Sequence, residues 1–202
     1  ADYARMRIAT VHRSRMTAES EVGPVKLSLP SQSNTMDFAV GDWVLVDPQT
    51  CMLVRRLERR TRLQRRTAGA RTQQLIAANM DTLFIVTSCN DDFNPARLER
   101  YLALANEAEI TPVIVLTKAD QVADAGLFQE QAAALQSGLD VVSLNAKTHE
   151  AVTALAPWCG PGQTVALVGS SGVRKSTLLN TLAATVTRLA ERVGRAPELP
   201  ND

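Results

Sequence analysis

The residues best equipped for chemistry form one run, Gly169-Ser170-Ser171-Gly172-Val173-Arg174-Lys175-Ser176-Thr177, between apolar residues 164–168 and a helical Leu178-Leu179-Asn180. Between a strand and a helix, glycine, four residues, glycine, lysine and a hydroxyl residue make a phosphate loop. Its backbone N–H groups and the positive end of the following helix surround a phosphate. Lys175 would reach the β and γ groups, and the Ser176 hydroxyl would serve Mg²⁺. Arg174 stands where the pattern has its second glycine. Glycine tolerates backbone angles there that cost another residue ~1–3 kcal/mol. The Arg174 guanidinium is, conversely, a cation beside an expected polyanion. The bland alternative for the run is an inert Ser/Gly turn.

Two further constellations precede it. Apolar residues 113–116 deliver Thr117-Lys118-Ala119-Asp120, the form of a guanine-reading motif usually written Asn-Lys-x-Asp. An ionised Asp120 accepts from the N1–H and the exocyclic amine of guanine, whereas adenine presents the wrong edge. A site built on such bonds rejects a mismatched base by about 10⁴ to 10⁵, because its polar groups are then left unpaired. Lys118 would lay its stem across the base, and Thr117 offers a hydroxyl in place of an amide. Residues 141–144 then end in Asn145-Ala146-Lys147, similar to a Ser-Ala-Lys loop whose backbone meets the guanine carbonyl. Each motif alone is weak. Together they fall at the carboxyl ends of expected parallel strands, where such sheets bind ligands.

The elements that must position these groups follow from apolar patterning. From residue 75 onward, strands at 82–87, 113–117, 141–144 and 164–168 alternate with helical stretches, the grammar of an α/β parallel sheet covered on both faces. Asn94-Pro95 reads as an N-cap and first-turn proline, with Leu98, Leu102 and Ala105 on one helical face. A second helix is expected over 127–136, stopped by Gly138. Residues 181–192 read as a continued amphipathic helix. Before residue 54, short β-type runs at 6–11, 25–29 and 42–46 favour a small all-β barrel of the oligonucleotide-binding kind.

Charge is segregated. Residues 55–71 carry Arg55, Arg56, Arg59, Arg60, Arg62, Arg65, Arg66 and Arg71 against Glu58 alone, a net of +7 that leaves −6 for the rest of a chain totalling +1. A polyanion such as structured RNA is the natural partner, since arginine pairs with phosphates and stacks on bases. The alternative is a solvated linker. With 202 residues, 45% hydrophobic and 21% charged, the chain has the composition of a globular protein. Cys51, Cys89 and Cys159 lie too far apart for a zinc knuckle, His12 and His149 read as surface residues, and no apolar run is long enough to span a membrane. A cytoplasmic monomer with no membrane partner and no zinc is the expectation.

Guanine-reading segments ahead of the phosphate loop invert the order of an ordinary GTPase, as if the domain had been cut and rejoined. In this the sequence resembles the circularly permuted, ribosome small-subunit-dependent GTPase A family. The resemblance runs through Gly41-Asp42-Trp43-Val44, Arg65-Arg66-Thr67-Ala68-Gly69, Ile76-Ala77-Ala78-Asn79-Met80-Asp81, Asp92-Phe93-Asn94 and Arg97-Leu98-Glu99-Arg100-Tyr101-Leu102, as well as the three loops. It implies an oligonucleotide-binding barrel and arginine-rich connector over 1–74, and over 75–202 a permuted GTPase domain that here lacks the switch segments and the family's zinc domain. It further implies binding of GTP or GDP with Mg²⁺, contact with the small ribosomal subunit and its rRNA, and GTP hydrolysis late in subunit maturation. Arg174 and the absence of an Asp-x-Pro-Gly after Ser176 depart from the family pattern on the γ-phosphate side, where hydrolysis needs stabilised charge. The competing reading is a non-catalytic RNA- or ribosome-binding module with a degenerate nucleotide site; an adenine-nucleotide enzyme is disfavoured by Asp120.

Overall fold

A computed structural model describes residues 2–66 and 73–183, apart from the side chains of Arg66 and Gln73. The chain divides into two compact units, Ala1–Met80 and Asp81–Asp202. The division falls beyond the expected 74/75 junction because residues 73–78 pair as a strand within the first unit.

In the first unit, β1 (Ala4–Val11), β2 (Met16–Ser20), β3 (Gly23–Leu27), β4 (Trp43–Val46) and β5 (Leu53–Arg56) form an antiparallel sheet in the order β3-β2-β1-β4-β5. A parallel bridge between Ser28 and Met52 joins its two edge strands, with Ser28 N donating to Cys51 O and Leu53 N to Ser28 O, both at 2.8 Å. Met6 and Ile8, Met16 and Ala18, and Val44 and Val46 all lie two residues apart and share one buried face, as the strand period requires. Leu27 and Leu53 complete that core.

The arginine-rich stretch is not a bare connector. Its first residues finish β5, and Arg62–Arg66 forms β6, paired antiparallel with β7 (Gln73–Ala78). Leu63 and Ala77 are buried on this hairpin while Arg62 is exposed. Charged residues on one face hid the strand alternation. Gly41, at φ +92, lets the chain pass so close to β7 that a Cβ would stand 2.1 Å from Ala78 O.

The second unit holds a four-stranded parallel sheet of β8 (Thr82–Ser88), β9 (Thr111–Thr117), β10 (Asp140–Ser143) and β11 (Val165–Val168), in the order β10-β9-β8-β11. All four expected strands are present, within a few residues of their expected ends. Every residue of β8 is buried, as a central strand covered on both faces must be. Helices α1 (Pro95–Glu107), α2 (Gly126–Ala133), α3 (Glu150–Leu155) and α4 (Lys175–Ala183) connect the strands or follow them. Asn94 caps α1, its side chain accepting from Arg97 N, and Leu98, Leu102 and Ala105 are buried together with Tyr101. Helix α2 ends short of the expected 136, before Gly138 at φ +71. Beyond Ala183 the expected continuation of α4 lies outside the described residues.

Strand order marks the candidate binding edge. The chain steps from β8 outward to β9 and β10, then returns to the other side of β8 as β11. At such a reversal the loops leaving the carboxyl ends of adjacent strands diverge and open a crevice. The loops after β8 and β11 flank it.

Candidate nucleotide site

The phosphate-loop run leaves β11 and enters α4 as its pattern requires. Gly169, at φ +148, packs so tightly under β8 that a Cβ there would stand 2.1 Å from Val86 O. Val173 is 1% exposed and plugs the core beneath the loop, while Ser171, Gly172 and Ser176 face solvent and Ser170, Lys175 and Thr177 are half-buried. Arg174 holds φ +65. The left-handed conformation that glycine would take is thus adopted by arginine, at a cost of roughly 1–2 kcal/mol. Lys175 Nζ donates to Gly169 O at 2.6 Å and also to Ser170 O, holding the loop's own carbonyls.

Of the two candidate base-reading segments, the first is bonded to this loop and the second to α4. Thr117, fully buried at the end of β9, has its hydroxyl 3.0 Å from Val173 O and 3.1 Å from Thr87 O. A single hydroxyl proton is shared between the two carbonyls, so threonine braces the loop where an asparagine amide is usual. Lys118 takes the left-handed conformation, φ +58, and turns the chain into a short 3₁₀ helix, Ala119–Gln121. Lys118 and Ala119 are half-buried and Asp120 is exposed. At the third segment, Ala146 is fully buried and its carbonyl accepts from Thr181 Oγ1 on α4 at 2.8 Å. Asn145 Oδ1 accepts from Lys147 N, shaping the turn, and Lys147 is exposed. Thr117 is therefore hydrogen-bonded to the phosphate-loop run directly, whereas Ala146 meets it only through the Thr181 hydroxyl of α4, which also lies 3.0 Å from Thr177 O.

Sequence reasoning assigned no role to Asp92. The loop after β8 brings its Oδ2 within 2.6 Å of Ser170 Oγ, which donates to it. Arg97, one turn into α1, pairs with Asp92 Oδ1 at 3.1 Å and donates to Asp92 O. The signal available was the spacing Asp92-Phe93-Asn94-x-x-Arg97, in which the helix cap fixes where the arginine points.

Among the described residues no group of three or more His, Cys, Asp or Glu could hold a metal ion. The Ser176 hydroxyl, exposed in the first turn of α4, fits Mg²⁺ as one protein oxygen among phosphate and water oxygens, the coordination that ion favours. His12 and His149 are exposed. Burial raises the thiol pKa of Cys89 and of Cys159, which keeps both protonated and unreactive at neutral pH.

The arginines of the first unit divide. Arg59 is committed inward: its Nε and Nη2 each lie 2.6 Å from the Asp42 carboxylate, its Nη2 also donates to Asp37 O, and its side chain is 7% exposed. Arg65 Nε donates to Gln74 Oε1. Arg55, Arg60 and Arg62 are exposed and Arg56 is half-buried. Arg56 lines a cavity of about 550 Å³, open to solvent and shared with Asn34, Phe38 and Gln64. Arg71 lies outside the described residues.

A parallel α/β sheet with a phosphate-loop pattern at its strand-order reversal, preceded in the sequence by the two candidate base-reading segments, defines the class: an α/β unit of the phosphate-loop kind. The chain belongs to the RsgA GTPase family, whose family model matches residues 56–196. It is 60% identical over 192 residues to a small ribosomal subunit biogenesis GTPase RsgA of Mesorhizobium japonicum, covering 95% of this chain and 56% of that protein. A small ribosomal subunit biogenesis GTPase RsgA 2 of Vibrio vulnificus is 49% identical over 183 residues, covering 90% of this chain and 52% of the relative. The chain thus spans about half the length of these relatives. Among solved structures it is similar to YjeQ from Thermotoga maritima, with a TM-score of 0.70, 24% identity and coverage of 90% of this chain and 65% of that one. It is also similar to YloQ, a circularly permuted GTPase, with a TM-score of 0.61, 23% identity and coverage of 89% and 64%.

Proposed function

We propose that this chain is the guanine-nucleotide-binding part of a GTPase that acts in maturation of the small ribosomal subunit. The observation that carries the reading is the Thr117–Val173 bond, which joins a base-reading motif to a phosphate loop across the sheet edge. In this reading Asp120 and Lys118 recognise guanine, with Asn145, Ala146 and Lys147 closing around its carbonyl. The backbone from Gly169 to Thr177 holds the phosphates. Lys175 exchanges the carbonyls of Gly169 and Ser170 for phosphate oxygens, and Ser176 gives Mg²⁺ one ligand. Mg²⁺, when bound, neutralises charge on the phosphates. The first unit is an oligonucleotide-binding-type barrel: its strand order and the Ser28–Met52 bridge support that topology. Exposed Arg55, Arg60 and Arg62 suit an rRNA phosphate surface. The protein works as a cytoplasmic monomer that docks on the subunit.

Titration with a fluorescent GDP, on the chain and on Arg174→Gly, tests the nucleotide claim. Binding that GTP displaces and ATP does not is the expected result. No binding by either protein at high micromolar concentration overturns it. The second reading, an RNA-binding module with a degenerate nucleotide site, draws support from Arg174 in the loop. It predicts small-subunit binding that falls steeply with salt yet ignores nucleotide.

A further inference from the structure

The loop between β8 and α1 touches both halves of the proposed site. On the base side, Cys89 N donates to Thr117 O at 3.0 Å, at the first residue of the guanine-reading motif. Phe93 packs edge-on against Phe128 of α2, the helix that follows that motif, with ring centroids 5.3 Å apart. On the phosphate side, Asp92 accepts the Ser170 hydroxyl proton at 2.6 Å. The loop between these points is internally fixed. Asn90 Oδ1 accepts from Ser88 Oγ at 2.7 Å and from Asp92 N at 3.1 Å, Phe93 N donates to Asn90 O, and Asn94 caps α1.

We propose that Asp92 is a positioning residue for the phosphate loop, held in place by Arg97 and acting through Ser170, within a loop that braces the base-reading and phosphate-binding segments against each other. The inference rests on the nucleotide reading above. A carboxylate facing an anion-binding loop would ordinarily repel the ligand. Here Arg97, at 3.1 Å from Oδ1, offsets its charge, and Oδ2 is occupied by the Ser170 hydroxyl. The acid is therefore spent on fixing the loop. Hydrogen bonds to charged groups are the stronger kind, so the loop gains a restraint that a neutral acceptor would not match. Ser170 is also one of the residues whose carbonyl Lys175 holds, so fixing Ser170 places the Lys175 acceptor as well. Arg97 acts one step further out: without it Asp92 keeps its charge and loses its balance, so its removal adds repulsion as well as slack.

A double-mutant cycle on GDP affinity tests this, run in parallel in the native chain and in Arg174→Gly. Asp92→Ala and Ser170→Ala should each weaken GDP by about tenfold, and the double variant by no more than either alone, because one bond is being removed twice. Because Asp92 and Ser170 sit on the phosphate side of the proposed site, the preference for GDP over IDP, which reads the exocyclic amine through Asp120, should change by less than the GDP affinity does. Arg97→Ala should weaken GDP more at low salt than at high salt. Thermal melts confirm that each variant is folded before its affinity enters the cycle. Additive losses or unchanged GDP affinity in Asp92→Ala would each overturn the positioning role while leaving the nucleotide reading intact. If neither parent protein binds GDP, the nucleotide reading itself fails and takes this inference with it.

Discussion

Replacing Arg59 by alanine separates a structural arginine from an RNA-contacting one. Its partner Asp42 is fully buried just ahead of β4, and Asp42 Oδ2 also accepts Ala39 N at 2.8 Å. Arg59→Ala removes both 2.6 Å charge-assisted bonds and the bond to Asp37 O, leaving a desolvated carboxylate with one backbone N–H. Breaking one side of a buried pair costs about 3–5 kcal/mol. For a unit of this size that corresponds to a fall in Tm of at least about 12 °C. Urea denaturation of Arg59→Ala beside Arg62→Ala measures it. Arg62 is exposed on β6, so its loss should leave stability within about 0.5 kcal/mol and instead reduce RNA affinity and its salt slope. Arg59→Lys, which keeps the charge without the two-pronged geometry, should recover only part of the loss. An Arg59→Ala protein of native stability that has lost RNA binding would refute the assignment.

Thr117→Val keeps the shape of the side chain and removes the proton shared by Val173 O and Thr87 O. It should cost about 1–3 kcal/mol in denaturant unfolding of the second unit and raise amide exchange in the phosphate loop. For Cys89 the pH dependence has a definite sign. Burial raises its folded pKa above the ordinary thiol value of 9.0, so the stability it contributes is complete below that value and is lost as pH climbs through the raised one. Alkylation at pH 8.5 should modify the half-buried Cys51 well before Cys89, and faster labelling of Cys89 would contradict its burial.

The four strands of the second unit were legible because continuous apolar runs of four to seven residues, bounded by polar turns, have few other uses in a globular chain. The α1 cap and its buried stripe were legible for the same local reason. The three motifs on which the proposed site rests could be picked out because each is a contiguous string. In the first unit, β2, β5, β6 and β7 escaped notice: short strands rich in polar residues or arginine carry little period, and they are defined by the partner across the ladder. Composition placed Arg59 with its neighbours, and only the fold sent it to Asp42. Composition also posed the question at Arg174 without answering it. The left-handed angle there is set by Val173 plugged into the core below and by α4 starting immediately after, forces that come from the rest of the unit. Asp92 and Ser170 are the sharpest case. Their 2.6 Å contact spans most of the second unit's sequence, and it exists because β8 and β11 lie side by side, a pairing that strand order decides and no local pattern encodes.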